Sequence, residues 1–178
     1  KNSLKILSVG RLTDQKDHLT LLKSVTLIND SLKPHIIIIG KGTNHDILKR
    51  FIESNSLQNK VTLTGYLDNP VDYIKKTDIL VLTSKFEGLP NILLEGQLLK
   101  KYIISTDCPT GPREILLDGK GGDLIKIGDY KNLAKLINDF YKKKIILKKK
   151  INYASKHLKR FDYNKNCRKY LNFILKNF

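Results

Sequence analysis

Six short runs of strand-forming residues alternate along this chain with segments of helical period, and that alternation leaves few folds open. The runs are LKILSV (4–9), HIIII (35–39), VTLT (61–64), ILVLT (79–83), YIIS (102–105) and LIKI (124–127). The second is apolar without alternation, as a strand covered on both faces tends to be. Helical segments fall between the runs at 19–29, with Asp17 placed to cap it, and at 47–53, 71–75, 91–100 and 112–117. Strand and helix in turn imply parallel neighbours, because each helix carries the chain back across a sheet face. The expected fold is α/β, a Rossmann-like doubly wound parallel sheet with 124–127 as an edge strand. Asp129 then caps a helix to about 141, and two more basic helical segments finish the chain.

At 178 residues the chain suits one domain with a full core, and no internal repeat or long linker divides it. Residues 1–178 are therefore expected to form a single domain, with basic helical segments at about 141–178. A composition of 40% hydrophobic and 28% charged residues reads as soluble and globular. No apolar run approaches the ~20 residues that span a bilayer. The chain contains no methionine and opens directly into a strand, so it is expected to be one domain of a longer protein. Cys108 and Cys167 match no disulfide or metal spacing, and a reducing, cytoplasmic setting is the default.

The net charge of +16 is uneven: residues 141–178 hold thirteen Lys/Arg against one acid, Asp162, which leaves +4 for the rest. Such a bias suits an anionic partner, whether membrane surface, nucleic acid or acidic substrate. Abundant Lys, Ile and Asn throughout the chain give a purely compositional reason for the same bias. The run 142–150 is punctuated by Ile145, Ile146 and Leu147, which marks it as the solvated face of a helix.

Ligands of open α/β sheets bind beyond the carboxyl ends of the strands. The residues found there are Gly10-Arg11 with Lys16, then Gly40-Lys41-Gly42, Gly65-Tyr66-Leu67 and Ser84-Lys85-Phe86-Glu87-Gly88. Cations and glycines recurring on one edge supply the charge and close backbone approach that a phosphate-bearing ligand requires. Glu87 and Glu95 would lie about 80° apart on one continuous helix, at roughly 3.6 residues per turn, and would share no face. Pro90, however, favours a first helical turn, so the helix is expected to start near Leu89 or Pro90. Glu87 then stays in the preceding loop, with Glu95 about one and a half turns inside. The N–H groups around Gly88 to Asn91 form an anion site that both carboxylates can flank.

These residues resemble a known family. FEGLPNILLEG is similar to the Glu-seven-Glu motif of retaining glycosyltransferases of family 4, which have the GT-B fold. VGRLTDQKDH resembles that family's first-strand Gly-Arg…Lys signature, and DCPTGPREIL a further stretch of its sugar-nucleotide-using members. The likeness covers nearly the whole chain as a C-terminal, donor-binding domain. It implies that Arg11 and Lys16, beside Gly10, pair with a donor diphosphate and that Glu87 holds hydroxyls of the transferred sugar. The backbone of Gly88, Leu89, Pro90 and Asn91 would flank the distal phosphate, and Glu95 would take the ribose hydroxyls. Tyr66 and Leu67 would line the base, with Lys41 nearby. The implied donor is a UDP-sugar, with no further cofactor and no metal. The implied acceptor is a saccharide or lipid-linked chain, bound by an N-terminal domain absent from this sequence. Many relatives carry Gly after the signature Lys, where this chain has Asp17, a carboxylate either near the phosphates or turned into the helix cap.

No Asp-x-Asp triplet is present, and His18, His35, His45 and His157 show no metal-ligand spacing. Gly40-Lys41-Gly42 lacks the third glycine and ribose-binding acid of a dinucleotide fingerprint. Glu114 and Arg113 fall in a first helical turn, where the acid has a stabilising role of its own. Two rival readings stay open. One is a basic module for nucleic acid or anionic membrane; the tail lacks the interleaved aromatics of a base-stacking platform, which disfavours nucleic acid. The other is a UDP-sugar epimerase of GT-B architecture. A peripheral enzyme on the cytoplasmic membrane face would reconcile the basic tail with a lipid-linked acceptor.

Overall fold

The computed structural model describes residues 3–177. Its sheet contains β1 (Leu4–Val9), β2 (Pro34–Ile39), β3 (Val61–Gly65), β4 (Ile79–Leu82), β5 (Tyr102–Thr106) and β6 (Asp123–Ile125). All neighbours run parallel in the order β3-β2-β1-β4-β5-β6. Strand order therefore reverses between β1 and β4, and a crevice opens where the chains leaving their carboxyl ends turn to opposite faces of the sheet. The helices are α1 (His18–Val25), α2 (His45–Ser54), α3 (Val71–Lys75), α4 (Asn91–Leu98), α5 (Pro112–Ile115), α6 (Tyr130–Asn138), α7 (Lys144–His157) and α8 (Tyr163–Asn177).

Side-chain alternation along each strand feeds two cores. Ile6, Ile36, Ile38, Ile79, Val81 and Ile104 pack with Leu21 and Leu22 of α1, Leu48 of α2, and Leu133 and Ile137 of α6. Leu7, Ile39, Leu80, Leu82 and Ile103 pack on the opposite face with Ile74 of α3, Leu93 of α4 and Ile115 of α5. Each such fully buried aliphatic side chain contributes roughly 1.5–3 kcal/mol. The two-sided burial holds the strand ends, and so the loops that leave them, in fixed relation.

Every expected strand is present, while several helix ends move. The first helix stops at Val25 rather than at residue 29, because the chain turns early onto Asn138 of α6. That amide accepts from Asn29 N at 2.8 Å and donates to Leu27 O at 3.0 Å. α4 stops at Leu98 rather than at residue 100, where Lys100 takes a φ of 54°. α5 ends at Ile115 rather than 117, with Leu117 and Asp118 at φ 55° and 53°. α6 ends at Asn138 rather than about 141, and α1 and α6 are capped by Asp17 and Asp129 as expected. β6 begins one residue early, where Asp123 Oδ2 accepts from Tyr102 OH at 2.6 Å. Thr83 leaves the ladder, and its Oγ1 donates to Lys16 O at 3.0 Å.

The basic run is helical from Lys144, but Lys150 is only partly solvated. Its Nζ donates to Gly119 O, Gly122 O and Asp123 Oδ1 at 3.0, 3.1 and 2.7 Å, closing the amino end of β6. No residue of α8 is buried.

Candidate functional site

β1 and β4 are hydrogen-bonded neighbours, so the loops leaving them meet. Lys16 comes from the first loop and Glu87 from the second. Lys16 Nζ donates to Glu87 Oε1 at 2.5 Å, and Ser84 Oγ donates to the same oxygen at 2.5 Å. The two side chains are only 16% and 7% exposed, so the ion pair is shielded from water. Further bonds stitch the loops together. Lys85 N donates to Gln15 O at 2.8 Å, Gln15 Nε2 to Phe86 O at 3.1 Å, and Arg11 NH2 to Gln15 Oε1 at 3.1 Å. From the other side, Thr106 Oγ1 donates to Ser84 O at 2.5 Å and Thr110 Oγ1 to Glu87 O.

α4 begins at Asn91, and Pro90 stands before it in an extended conformation (φ −73°, ψ 94°). This corrects the expected start by one residue: Pro90 is the cap position, and Glu95 lies about one turn inside. Proline offers no capping side chain and none other takes its place. The first N–H groups of α4 therefore lack helical partners and present partial positive charge. At Gly88 a side chain would meet nothing within 4 Å, so open space adjoins this turn.

Across the crevice, Gly10, Arg11, Lys41, Tyr66 and Leu67 share the wall of a cavity of about 300 Å³. Gly40 and Gly42 bring its loops into contact. A β-carbon on Gly40 would stand 1.9 Å from Gly10 O, and one on Gly42 2.3 Å from Leu12 O. The Gly-x-Gly pair thus serves backbone packing. Arg11 links this cavity, through Gln15, to the backbone of Phe86, the residue before Glu87.

The remaining candidates lie elsewhere. Glu95 lines a different hollow with Ser155 and Lys159, and among the described residues its carboxylate has no ion pair or hydrogen bond. Leu89 and Asn91 line a larger space of about 560 Å³ against α8, walled chiefly by apolar and aromatic side chains and, among the described residues, by no Lys or Arg. Asp17 turns into the helix cap, its carboxylate accepting from Thr20 Oγ1 at 2.6 Å and Thr20 N at 3.4 Å. Arg113 is bound to Asp107 and Asp118. Gln15, Ser84 and Thr110 were not among the sequence candidates. Ser84, three residues before Glu87, offered a spacing to read; Gln15 and Thr110 bond to backbone carbonyls and leave no pattern.

His18 lies buried beneath the same loop. Its Nδ1 is 3.3 Å from Ser8 Oγ, and its Nε2 has no hydrogen-bond partner among the described residues. Burial lowers its pKa from 6.5 to about 4; the backbone of Gly10 and Arg11, then Asp17, oppose the fall, while Lys16 adds to it. Between these values the unfolded chain binds a proton that the folded chain refuses. The contribution to stability is therefore complete above pH 6.5 and is lost as pH falls through about 4. Urea unfolding across that window should show a loss on the order of 3 kcal/mol. His18→Gln should remove that portion of the slope, and identical pH slopes for parent and variant would contradict the assignment.

Residues 1–158 match the family described as glycosyl transferases group 1. An uncharacterized glycosyltransferase of Methanocaldococcus jannaschii is 39% identical over 117 residues, 65% of this chain and 29% of that protein. The N-acetylgalactosamine-N,N'-diacetylbacillosaminyl-diphospho-undecaprenol 4-alpha-N-acetylgalactosaminyltransferase of Campylobacter jejuni is 31% identical over 170 residues, 96% of this chain and 46% of that protein. This chain therefore spans less than half the length of either relative. Among solved structures, Anabaena Alr3699/HepE in complex with UDP has a TM-score of 0.88 at 18% identity, covering 99% of this chain and 50% of that one. A glycosyltransferase from Rickettsia africae has a TM-score of 0.85 at 25% identity, covering 100% and 49%. The six-stranded parallel sheet is the Rossmann-like architecture of GT-B glycosyltransferases. With that sheet, and with the family match running from its first strand through α7, this chain belongs to the glycosyl transferases group 1.

Proposed function

We propose that this chain is the donor-binding part of a retaining glycosyltransferase. It takes a hexose or N-acetylhexosamine from a UDP-sugar, for transfer to a saccharide or lipid-linked acceptor held by a part of the protein beyond this chain. The observation that carries the proposal is the meeting of the β1 and β4 loops: Lys16 pairs with Glu87, Arg11 is tied through Gln15 to Phe86, and the uncapped start of α4 follows in the same loop.

Breaking the bond between the anomeric carbon and the diphosphate oxygen develops negative charge on the departing phosphate. Arg11, Lys16 and the free N–H groups of α4 are complementary to that charge. Each well-placed donor of this kind contributes about 2.7–4 kcal/mol in the transition state. The two cations and the helix N-terminus take the place of a divalent metal in this scheme. Lys16 has three N–H donors and gives one to Glu87, which leaves two for phosphate oxygens. The pairing also holds Glu87 in place through Oε1, leaving Oε2 to accept hydrogen bonds from sugar hydroxyls. The uracil enters the cavity walled by Tyr66, Leu67 and Lys41. Support comes from neighbours of the same fold solved with UDP, and from relatives named as hexosyl- and N-acetylhexosaminyltransferases. The chain alone should bind donor without completing transfer.

Calorimetric titration with UDP tests this directly. The parent chain should bind, and Arg11→Ala combined with Lys16→Ala should weaken binding roughly a hundredfold or more. That figure follows from two charge-assisted contacts of about 1.5–3 kcal/mol each. No binding by the parent, or binding unchanged in the double variant, would contradict the proposal.

A further inference from the structure

One of the links between the two site loops passes through a side chain with no role assigned above. Gln15 accepts from Arg11 NH2 at 3.1 Å with Oε1 and donates from Nε2 to Phe86 O at 3.1 Å. Its backbone carbonyl independently accepts from Lys85 N at 2.8 Å. We propose that Gln15 is a positioning residue for donor binding, holding the Arg11 guanidinium over the crevice from the residue before Lys16. The inference rests on the reading that Arg11 meets the donor diphosphate.

The chemistry singles out an amide. Arg11 offers only donors and the Phe86 carbonyl only lone pairs, so the residue between them must accept on one side and donate on the other. Glutamine does both without charge. Glutamate would face the carbonyl with a second acceptor and would neutralise Arg11, while lysine would repel the guanidinium. Arg11 is exposed, and a free guanidinium samples many rotamers that binding must freeze. Ordering it beforehand removes part of that cost. Because the backbone bond from Lys85 does not depend on the side chain, truncating Gln15 should release Arg11 without separating the loops.

The two functions of Gln15, tether and fold element, separate in a double-mutant cycle on the 178-residue chain, with UDP and uridine titrated by NMR. Gln15→Ala should weaken UDP roughly two- to tenfold, the cost of freezing one freed side chain. Uridine, which lacks the diphosphate, should bind as in the parent. In an Arg11→Ala background, Gln15→Ala should change UDP affinity less than about twofold, because its target is gone. Gln15→Glu should weaken UDP more than Gln15→Ala does. The proposal is overturned if Gln15→Ala leaves UDP binding intact, weakens uridine equally, or keeps its full effect without Arg11. If instead Arg11→Ala itself leaves UDP binding unchanged, the donor-site reading fails first, and the role of Gln15 falls with it. Thermal unfolding midpoints equal to the parent's confirm that each variant is folded.

Discussion

Gly111→Ala is expected to cost roughly 2–6 kcal/mol of folding stability, combining backbone strain and overpacking. Gly111 holds φ 86° and ψ −67°, where a β-carbon is strained whatever the space around it. There is also no space. A β-carbon would stand 2.2 Å from Gly88 O and 2.6 Å from Pro90 Cδ. A carbonyl and a proline ring cannot rotate aside, so the 107–111 loop must withdraw from the turn that starts α4. Withdrawal would break the bond from Thr110 Oγ1 to Glu87 O and loosen the carboxylate itself. Against a typical total of about 5–15 kcal/mol, the loss is large enough to lower the urea midpoint sharply. UDP binding should fall with it, even under conditions where the variant stays folded. A variant within about 0.5 kcal/mol of the parent would show that the turn tolerates displacement.

Glu87→Ala should be comparably severe, through a different cause. It leaves the Lys16 ammonium and the Ser84 hydroxyl without their shared acceptor in a place largely closed to water. An unpaired charge in such a site costs about 3–5 kcal/mol, although the intact pair adds little beyond what two apolar side chains would give. The double variant Lys16→Met plus Glu87→Leu should therefore lose less stability than Glu87→Ala alone, while still failing to bind UDP. Denaturant unfolding of the three proteins decides the point. If Glu87→Ala costs under about 1 kcal/mol, the pair behaves as an ordinary surface bridge and Lys16 finds other partners.

Much of the fold was legible because it rests on local signals. Apolar runs such as HIIII declare buried strands, and Asp17 and Asp129 cap helices as their positions suggested. Helix ends were less legible, since tertiary contacts set them: the first helix stops just before Leu27 and Asn29, whose backbone groups bond to Asn138, more than a hundred residues on. For the site, Arg11, Lys16 and Glu87 stood out as charged residues beside glycines at strand ends. Their arrangement did not, because Lys16 and Glu87 are 71 residues apart and meet only through the pairing of β1 with β4. Gln15 and Thr110 were invisible for a related reason. Each binds a backbone carbonyl, and carbonyls belong to every residue alike. The one-residue shift at Pro90 has the same character, since a proline fits either side of a helix start. Pro90 sits against Gly111, a contact 21 residues away in sequence that no local signal announces.

The most direct test of the central claim is a crystal structure of the chain with UDP. The account predicts the diphosphate within hydrogen-bond reach of Arg11 and Lys16, its outer phosphate on the first N–H groups of α4, and uracil in the cavity beside Tyr66. A diphosphate bound instead along the basic surface of α7 and α8, or in the crevice without touching Arg11 or Lys16, would contradict it.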